Sequence, residues 1–266
     1  MADTRTPNTL FRLDGAISAR RYTLIATAMF VFVGLAWWAI ASTGMVKSIF
    51  LPSPAAVAGR LAEQVANGQL MGDIGVSVLR ILSAFLVSAA LALPLGLLMG
   101  RIRFFEALFV PLTEFIRYMP VVAFVPLTVV WVGVGELQKL VLIFIGTFFA
   151  LLLMIMDNVH RTPKEFVESG RTFGMSERRI LWRIVLRASW PTIWDSFRLA
   201  LGWCWTWLVL GELLTASSGL GFRITLAQRF LDTELIFGYI LVLGLLGLIT
   251  DQVMRLIGRL LFTYAK

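Results

Sequence analysis

Six stretches of this chain stay apolar long enough to cross a lipid bilayer, and that limits its fold more than any other feature. They cover roughly residues 22–43, 74–99, 107–133, 138–157, 192–215 and 234–257, some with interruptions. A helix needs about 20 such residues to traverse ~30 Å of hydrocarbon, where every backbone polar group must be bonded within the protein. Segments of about ten residues with alternating polarity are missing, which excludes a β-barrel. Composition agrees: 58% of residues are hydrophobic and 15% charged, with mean hydropathy +0.83. Soluble domains carry about 25% charge. The expected fold is all-α and membrane-integral, with six transmembrane helices.

The charges then predict orientation. Lys+Arg number 24 against 16 Asp+Glu, a net +8, and cytoplasmic loops retain Lys and Arg. With the N-terminus inside, the inner segments hold Arg5, Arg12, Arg20, Arg21, Arg101, Arg103, Arg161, Lys164, Arg171, Arg178, Arg179, Arg183, Arg187, Arg255, Arg259 and Lys266. The outer segments hold only Lys47, Arg60, Lys139, Arg223 and Arg229. Both termini are therefore expected in the cytoplasm, with residues 1–21 and 258–266 as tails of one transmembrane domain over 22–257. The first span follows a basic stretch and ends near Ala39-Ile40-Ala41, which mimics a signal-peptidase site. Its apolar run exceeds the usual ~7–15 residues of a signal sequence and includes Trp37 and Trp38, so it reads as an uncleaved span. One cysteine, Cys204, excludes an internal disulfide, and one histidine, His160, argues against a His-based catalytic or zinc cluster. No Gly-x-x-x-x-Gly-Lys-Ser/Thr phosphate loop occurs, so no ATPase, catalytic residue or metal is expected in this chain. The positive charge is read as topology, without a nucleic-acid partner.

The longest inner segment, 158–191, interleaves seven basic and three acidic residues with Phe166, Val167, Phe173, Met175, Ile180 and Trp182. It is too apolar for a linker and too charged to span. Helical pattern on either side of Gly174 predicts two short helices joined by a glycine-permitted turn. Such an element suits docking of a cytoplasmic partner, and equally suits contact with anionic membrane lipid. On the outer side, Leu51-Pro52-Ser53-Pro54 opens a short amphipathic helix, with Ser53 as its cap and Pro54 in its first turn.

Within the inner loop stand Glu168-Ser169-Gly170, three residues, Gly174, nine residues, then Ile184-Val185-Leu186-Arg187. This resembles the cytoplasmic signature of ABC importer permeases: Glu-Ala-Ala, three residues, Gly, nine residues, Ile-x-Leu-Pro. Small residues replace both alanines, and Arg187 replaces the proline, with Pro191 following. Further patches in family order are Ser77-Val78-Leu79-Arg80, Pro94-Leu95-Gly96, Arg117, Pro120, Trp131-Val132-Gly133-Val134-Gly135-Glu136, Lys139, Gly202, Trp205, Glu212 and Gly219-Leu220-Gly221. The similarity runs over roughly 50–255 and narrows to the nitrate/sulfonate/taurine branch; Ser83-Ala84-Phe85 departs from that branch's Gly-Phe.

The resemblance implies a type I ABC importer permease fold in the bacterial inner membrane. It implies a homodimer with a second copy, two separate ATPase subunits that bind ATP and Mg, and a periplasmic or lipid-anchored solute-binding protein. The implied solute is small and anionic: nitrate, bicarbonate, cyanate, taurine or an alkylsulfonate. The segment carried over as the ATPase-coupling element comprises Glu168, Ser169, Gly170, Arg171, Phe173, Gly174 and Met175.

Charges within spans require a reason, since one at the bilayer centre costs about 2.5–3.5 kcal/mol on insertion scales. Arg117 falls near the middle of the third span, beside Pro120 and Pro126, which interrupt helix bonding around Ile116 and Val122. Arg117, Tyr118 and Met119 are therefore candidates for the substrate pathway, although Glu114, three residues away, offers Arg117 a structural partner. Trp203, Trp207 and Glu212 in span five are further candidates, with helix packing as the alternative for each. Asp195 with Arg198 and Asp251 with Arg255 read as structural pairs, while Arg80, in the outer part of span two, either snorkels to the surface or pairs with Asp73. A second function class, an ion-gradient-driven secondary transporter using Glu114 and Glu212, would leave the charged Gly174 loop without a purpose. A membrane-embedded enzyme would need a nucleophile or His cluster that this sequence lacks.

Overall fold

A computed structural model describes residues 17–263; Arg5, Arg12 and Lys266, and with them most of the expected tails, lie outside the described residues. Regular structure among the described residues is helical throughout. In order come α1 (Ala19–Ser42), α2 (Pro54–Ala66), α3 (Gln69–Met99), α4 (Arg103–Arg117), α5 (Phe124–Val132) and α6 (Glu136–His160). Then follow α7 (Lys164–Thr172), α8 (Glu177–Ile180), α9 (Leu186–Thr215), α10 (Leu220–Arg229) and α11 (Thr233–Leu261). Among the described residues five helices are long and apolar enough to span, or six when the bent pair α4–α5 counts as one crossing.

The core is the packing of α3, α6 and α9. Lipid tails give apolar helices no reason to leave them, so association depends on close fit at small residues. Gly96 of α3 supplies such a site: a Cβ there would lie 2.7 Å from Ile155 Cγ2 on α6. Gly146 of α6 does the same beneath the Trp207 ring of α9. Leu97, Leu151, Ile155, Ile193, Ala200 and Leu208 are fully enclosed around these crossings. By contrast, α1 is peripheral. Trp37 ties it down, with Nε1 donating to the Pro52 carbonyl at 3.0 Å and the ring stacked on Phe237.

Local signals place the short elements. Ser53 caps α2 as expected, its Oγ accepting from the Ala56 N–H at 3.2 Å, with Pro54 opening the helix. Asp232 caps α11 by accepting from Leu235 N–H at 3.1 Å. That helix runs past 257 to Leu261.

The interruption expected within residues 107–133 is present: Arg103–Arg117 and Val121–Val132 meet at an 84° bend. Pro120 is the cause, because it has no N–H to continue the helix and holds an extended ψ of 121°. The Ile116 carbonyl is not left free, since the Met119 N–H reaches it at 3.0 Å. Pro126 breaks nothing, standing in the first turn of α5 where no N–H is required. In the opposite sense, α8 does not stop before span five. It continues through a π-helical turn at Leu181–Val185 into α9, a single helix of 39 residues, Glu177–Thr215. Arg187 at the place of the family's proline keeps its N–H, and the helix also carries Pro191 within it.

Candidate functional site

Three features stand out: an elbow at one end of the bundle, a bend at 118–120, and a charged lock at the other end. The elbow is α7, a turn, and α8. The turn closes by two bonds, from the Gly174 N–H to the Arg171 carbonyl (2.9 Å) and from the Met175 N–H to the Gly170 carbonyl (3.0 Å). This is the Schellman arrangement, and it needs a left-handed residue, which Gly174 supplies with φ 70°. Gly170 is buried against α8 and the π turn; a Cβ on it would lie 2.7 Å from Ile184 Cδ1. Glu168, Ser169, Arg171 and Phe173 are exposed, Phe173 to 82%, while Met175 is half-buried. Arg171 donates through Nε to Glu177 Oε1 at 2.8 Å, and this bond holds its pKa above the ordinary value.

The elbow thus presents an exposed aromatic side chain and charged groups on a backbone fixed from below. From the elbow, α8 passes without a stop into α9, a helix long and apolar enough to span. The same helix ends near Glu212, about 50 Å away at 1.5 Å per residue.

Glu212 belongs to the lock. Its carboxylate accepts from Arg80 Nη1 (2.7 Å), Ser77 Oγ (2.8 Å) and the Gly221 N–H (2.7 Å), and the residue is 1% exposed. Arg80 also pairs with Glu136 (2.6 Å) and donates to the Ser218 carbonyl (2.8 Å). Glu136 is shared with Lys139 at 3.0 Å. A second arm joins Asp73 to Arg223 Nε (2.9 Å), Tyr239 Oη (3.0 Å) and the Gly219 N–H (3.2 Å). Burial works against the Arg223 charge, but the Asp73 hydrogen bond and charge outweigh it and raise its pKa. Gly219, at φ 107°, lies so close to Glu212 and Arg80 that no side chain fits. The lock ties α3, α6, α9, α10 and α11 together.

At the bend, Arg117 is exposed and turns toward its neighbour: Nη2 donates to Tyr118 Oη at 3.3 Å and the guanidinium lies 5.1 Å from the Tyr118 ring centroid. Among the described residues Glu114 forms no ion pair with it. Tyr118 is 77% exposed and Met119 half-buried. The far side of the bend is anchored through Gln138, which donates to Thr128 Oγ1 of α5 (3.0 Å) and accepts from Thr215 of α9 (2.6 Å). Thus the bend and the end of α9 are mechanically joined.

Residues 92–263 match the family described as binding-protein-dependent transport system inner membrane component. The chain belongs to this family. A probable ABC transporter permease protein of Brucella melitensis is 35% identical over 82% of this chain and 88% of its own length. The putative aliphatic sulfonates transport permease protein SsuC of Bacillus subtilis is 30% identical over 86% of this chain and 83% of its own. Among solved structures, the inward-facing MetNI methionine ABC transporter covers 74% of this chain and 97% of that chain, with TM-score 0.65 and 17% identity, a likeness of fold. The expected permease family is therefore present, with relatives consistent with its nitrate/sulfonate/taurine branch, and family members of this kind are the membrane component, not the ATPase.

In this permease the pathway candidates do not gather in one place. Arg117, Tyr118 and Met119 share the bend; Trp203 is exposed on mid-α9; Trp207 packs over Gly146 with its Nε1 enclosed and unbonded. Glu212 sits within the lock, its carboxylate accepting from Ser77, Arg80 and the Gly221 N–H. Arg80 is not paired with Asp73 but with Glu136 and Glu212. Arg198 lies between Asp195 (3.7 Å) and Asp251 (3.6 Å), while Asp251 also holds Arg255 at 2.8 Å, so the two expected local pairs merge into one chain. The lock as a unit escaped sequence reasoning. Its members are the family patches around Arg80, Glu136, Glu212 and Gly219, and their opposite signs at the ends of different spans are the available signal.

Proposed function

We propose that two copies of this permease form the passage of an ATP-driven importer for a small anionic solute of the sulfonate class, delivered by an external binding protein. The elbow carries this reading. An exposed Phe173 on a turn pinned by Gly174, leading directly into the 39-residue helix, suits a socket on a partner ATPase. Glu168, Ser169, Arg171, Phe173 and Met175 would meet that partner, with Gly170 and Gly174 setting their backbone. The basic surplus at the elbow end favours a cytoplasmic location for it. The lock at the opposite end lets the helices move as one body when the elbow moves. Arg117, an exposed cation at a proline break, is the residue placed to meet an anion. The aliphatic-sulfonate relative supports the solute class.

The deciding experiment is uptake into proteoliposomes holding the permease, its ATPase and its binding protein. Uptake of an alkylsulfonate is expected only with ATP, and uptake that persists without ATP overturns the importer reading. Replacing Gly174 with Val puts a β-branched residue at φ 70°, a strain of about 1–3 kcal/mol confined to the turn. ATPase recovery in a pull-down is expected to fall while membrane insertion is unchanged; normal recovery would refute the coupling role.

A further inference from the structure

At the elbow end, one cation lacks the counter-charge that the lock supplies to each of its own. Arg101 lies between α3 and α4 and is half-buried, its Nη2 donating to the Thr162 carbonyl at 2.8 Å. Its Nε is enclosed without a hydrogen-bond partner, and so is the Oγ1 of the same Thr162. Burial pushes the Arg101 pKa down, and no carboxylate pushes it back. Among the described residues it forms no ion pair. Charge topology explains basic residues on an inner surface. It does not explain a half-buried guanidinium whose Nε is sealed off without a partner and whose charge no carboxylate offsets, a cost that an anion on its outer nitrogens would relieve.

The space beside Arg101 has room for one. A cavity of about 670 Å³ is lined by Arg101, Arg103, Lys164, Glu106 and His160, with Val110 among its apolar walls. Three permanent cations thus face one acid, and that acid lies 3.8 Å from His160 Nε2. Arginine's planar fork of donors matches the oxygens of a phosphate or sulfonate group, and Lys164 adds a point charge to the lining. The apolar wall on α4 would take the organic part of such a molecule.

We propose that Arg101, Arg103 and Lys164 form a binding site for an oxoanion of phosphate or sulfonate type at the elbow end, distinct from the bend at Arg117 and from the exposed face of the elbow. Two sources carry this chemistry: the headgroup of an anionic phospholipid and a free organic anion. The site does not depend on which solute is imported.

The test uses the full transporter complex in nanodiscs of phosphatidylcholine. One arm titrates methanesulfonate against chloride at matched ionic strength; the other incorporates phosphatidylglycerol; both read the thermal midpoint. A rise in the first arm beyond that of chloride assigns a free oxoanion, and a rise confined to the second assigns a lipid headgroup. In either case Arg101→Gln is expected to weaken the effect roughly tenfold or more, the loss of a charge-assisted hydrogen bond. Because Arg101 also bonds the Thr162 carbonyl, the exposed Arg103→Gln and Lys164→Gln are measured alongside it and are expected to weaken the effect in the same direction. Equal responses in wild type and all three variants overturn the site, as does a lack of response in both arms. Loss of ATPase recovery in Arg101→Gln with both titrations unchanged gives the counter-charge to the partner protein and also overturns it.

Discussion

The two ends of this bundle treat charge in opposite ways. At the lock, three cations (Arg80, Lys139, Arg223) meet three anions (Asp73, Glu136, Glu212), and each is bonded to a partner on another helix or one turn away. At the elbow end, Arg101, Arg103, Arg161, Lys164, Arg171, Arg178, Arg179 and Arg183 outnumber Glu106, Asp157, Glu165, Glu168 and Glu177. Matched, enclosed charges hold helices to one another. A surplus that stays at a surface or in an open cavity awaits something outside the chain. One end is therefore built for internal rigidity and the other for contact.

The largest test of that contrast is Arg80→Met. It would leave Glu212 enclosed without its cation, and breaking one partner of a buried pair costs about 3–5 kcal/mol. The thermal midpoint of the solubilised permease is expected to drop sharply; a midpoint equal to wild type would mean that the lock does not lock. Next comes Asp73→Asn, which removes the charge from the second arm but keeps a side chain of the same shape for Tyr239 and Gly219. A loss of roughly 1.5–3 kcal/mol is expected for a hydrogen bond to a charged group. Urea titration of the same sample reads it, and a gain in stability would contradict the arrangement.

Arg117→Ala sharpens the comparison from the middle of the molecule. Its partner is the neighbouring, exposed Tyr118, so stability should stay within about 0.5 kcal/mol of wild type. Solute uptake should nevertheless fall several-fold; full uptake would remove Arg117 from the pathway. The smallest effect on stability belongs to Arg171→Ala at the elbow, where the pair with Glu177 is exposed to solvent. No measurable shift in midpoint is expected, with any change confined to ATPase recovery, and a destabilised fold would make the elbow structural instead.

Much of this was legible from residues alone. The six apolar runs mark the spanning segments, and Ser53 and Pro54 announce the start of α2. Gly174 between two amphipathic patterns places the elbow turn, which forms with the left-handed glycine that such a turn needs. The prolines near Arg117 signal a broken helix, although the size of the bend and its confinement to Pro120 do not follow from them. Pairing was the weak point. Asp73 is the acid nearest to Arg80 along the chain on the loop side, yet Arg80 bonds Glu212 across 132 residues and Asp73 bonds Tyr239 across 166.

Hydropathy, caps and turn glycines act over a few residues, so the sequence by itself determined which segments cross, where the elbow bends and which side collects positive charge. Charge partners depend on which helices lie side by side, and helix contact in lipid is settled by fit at small residues such as Gly96 and Gly146. Only the tertiary structure therefore decided that Glu212 closes a lock, that α8 and α9 are one lever, and that Arg101 is left without an anion.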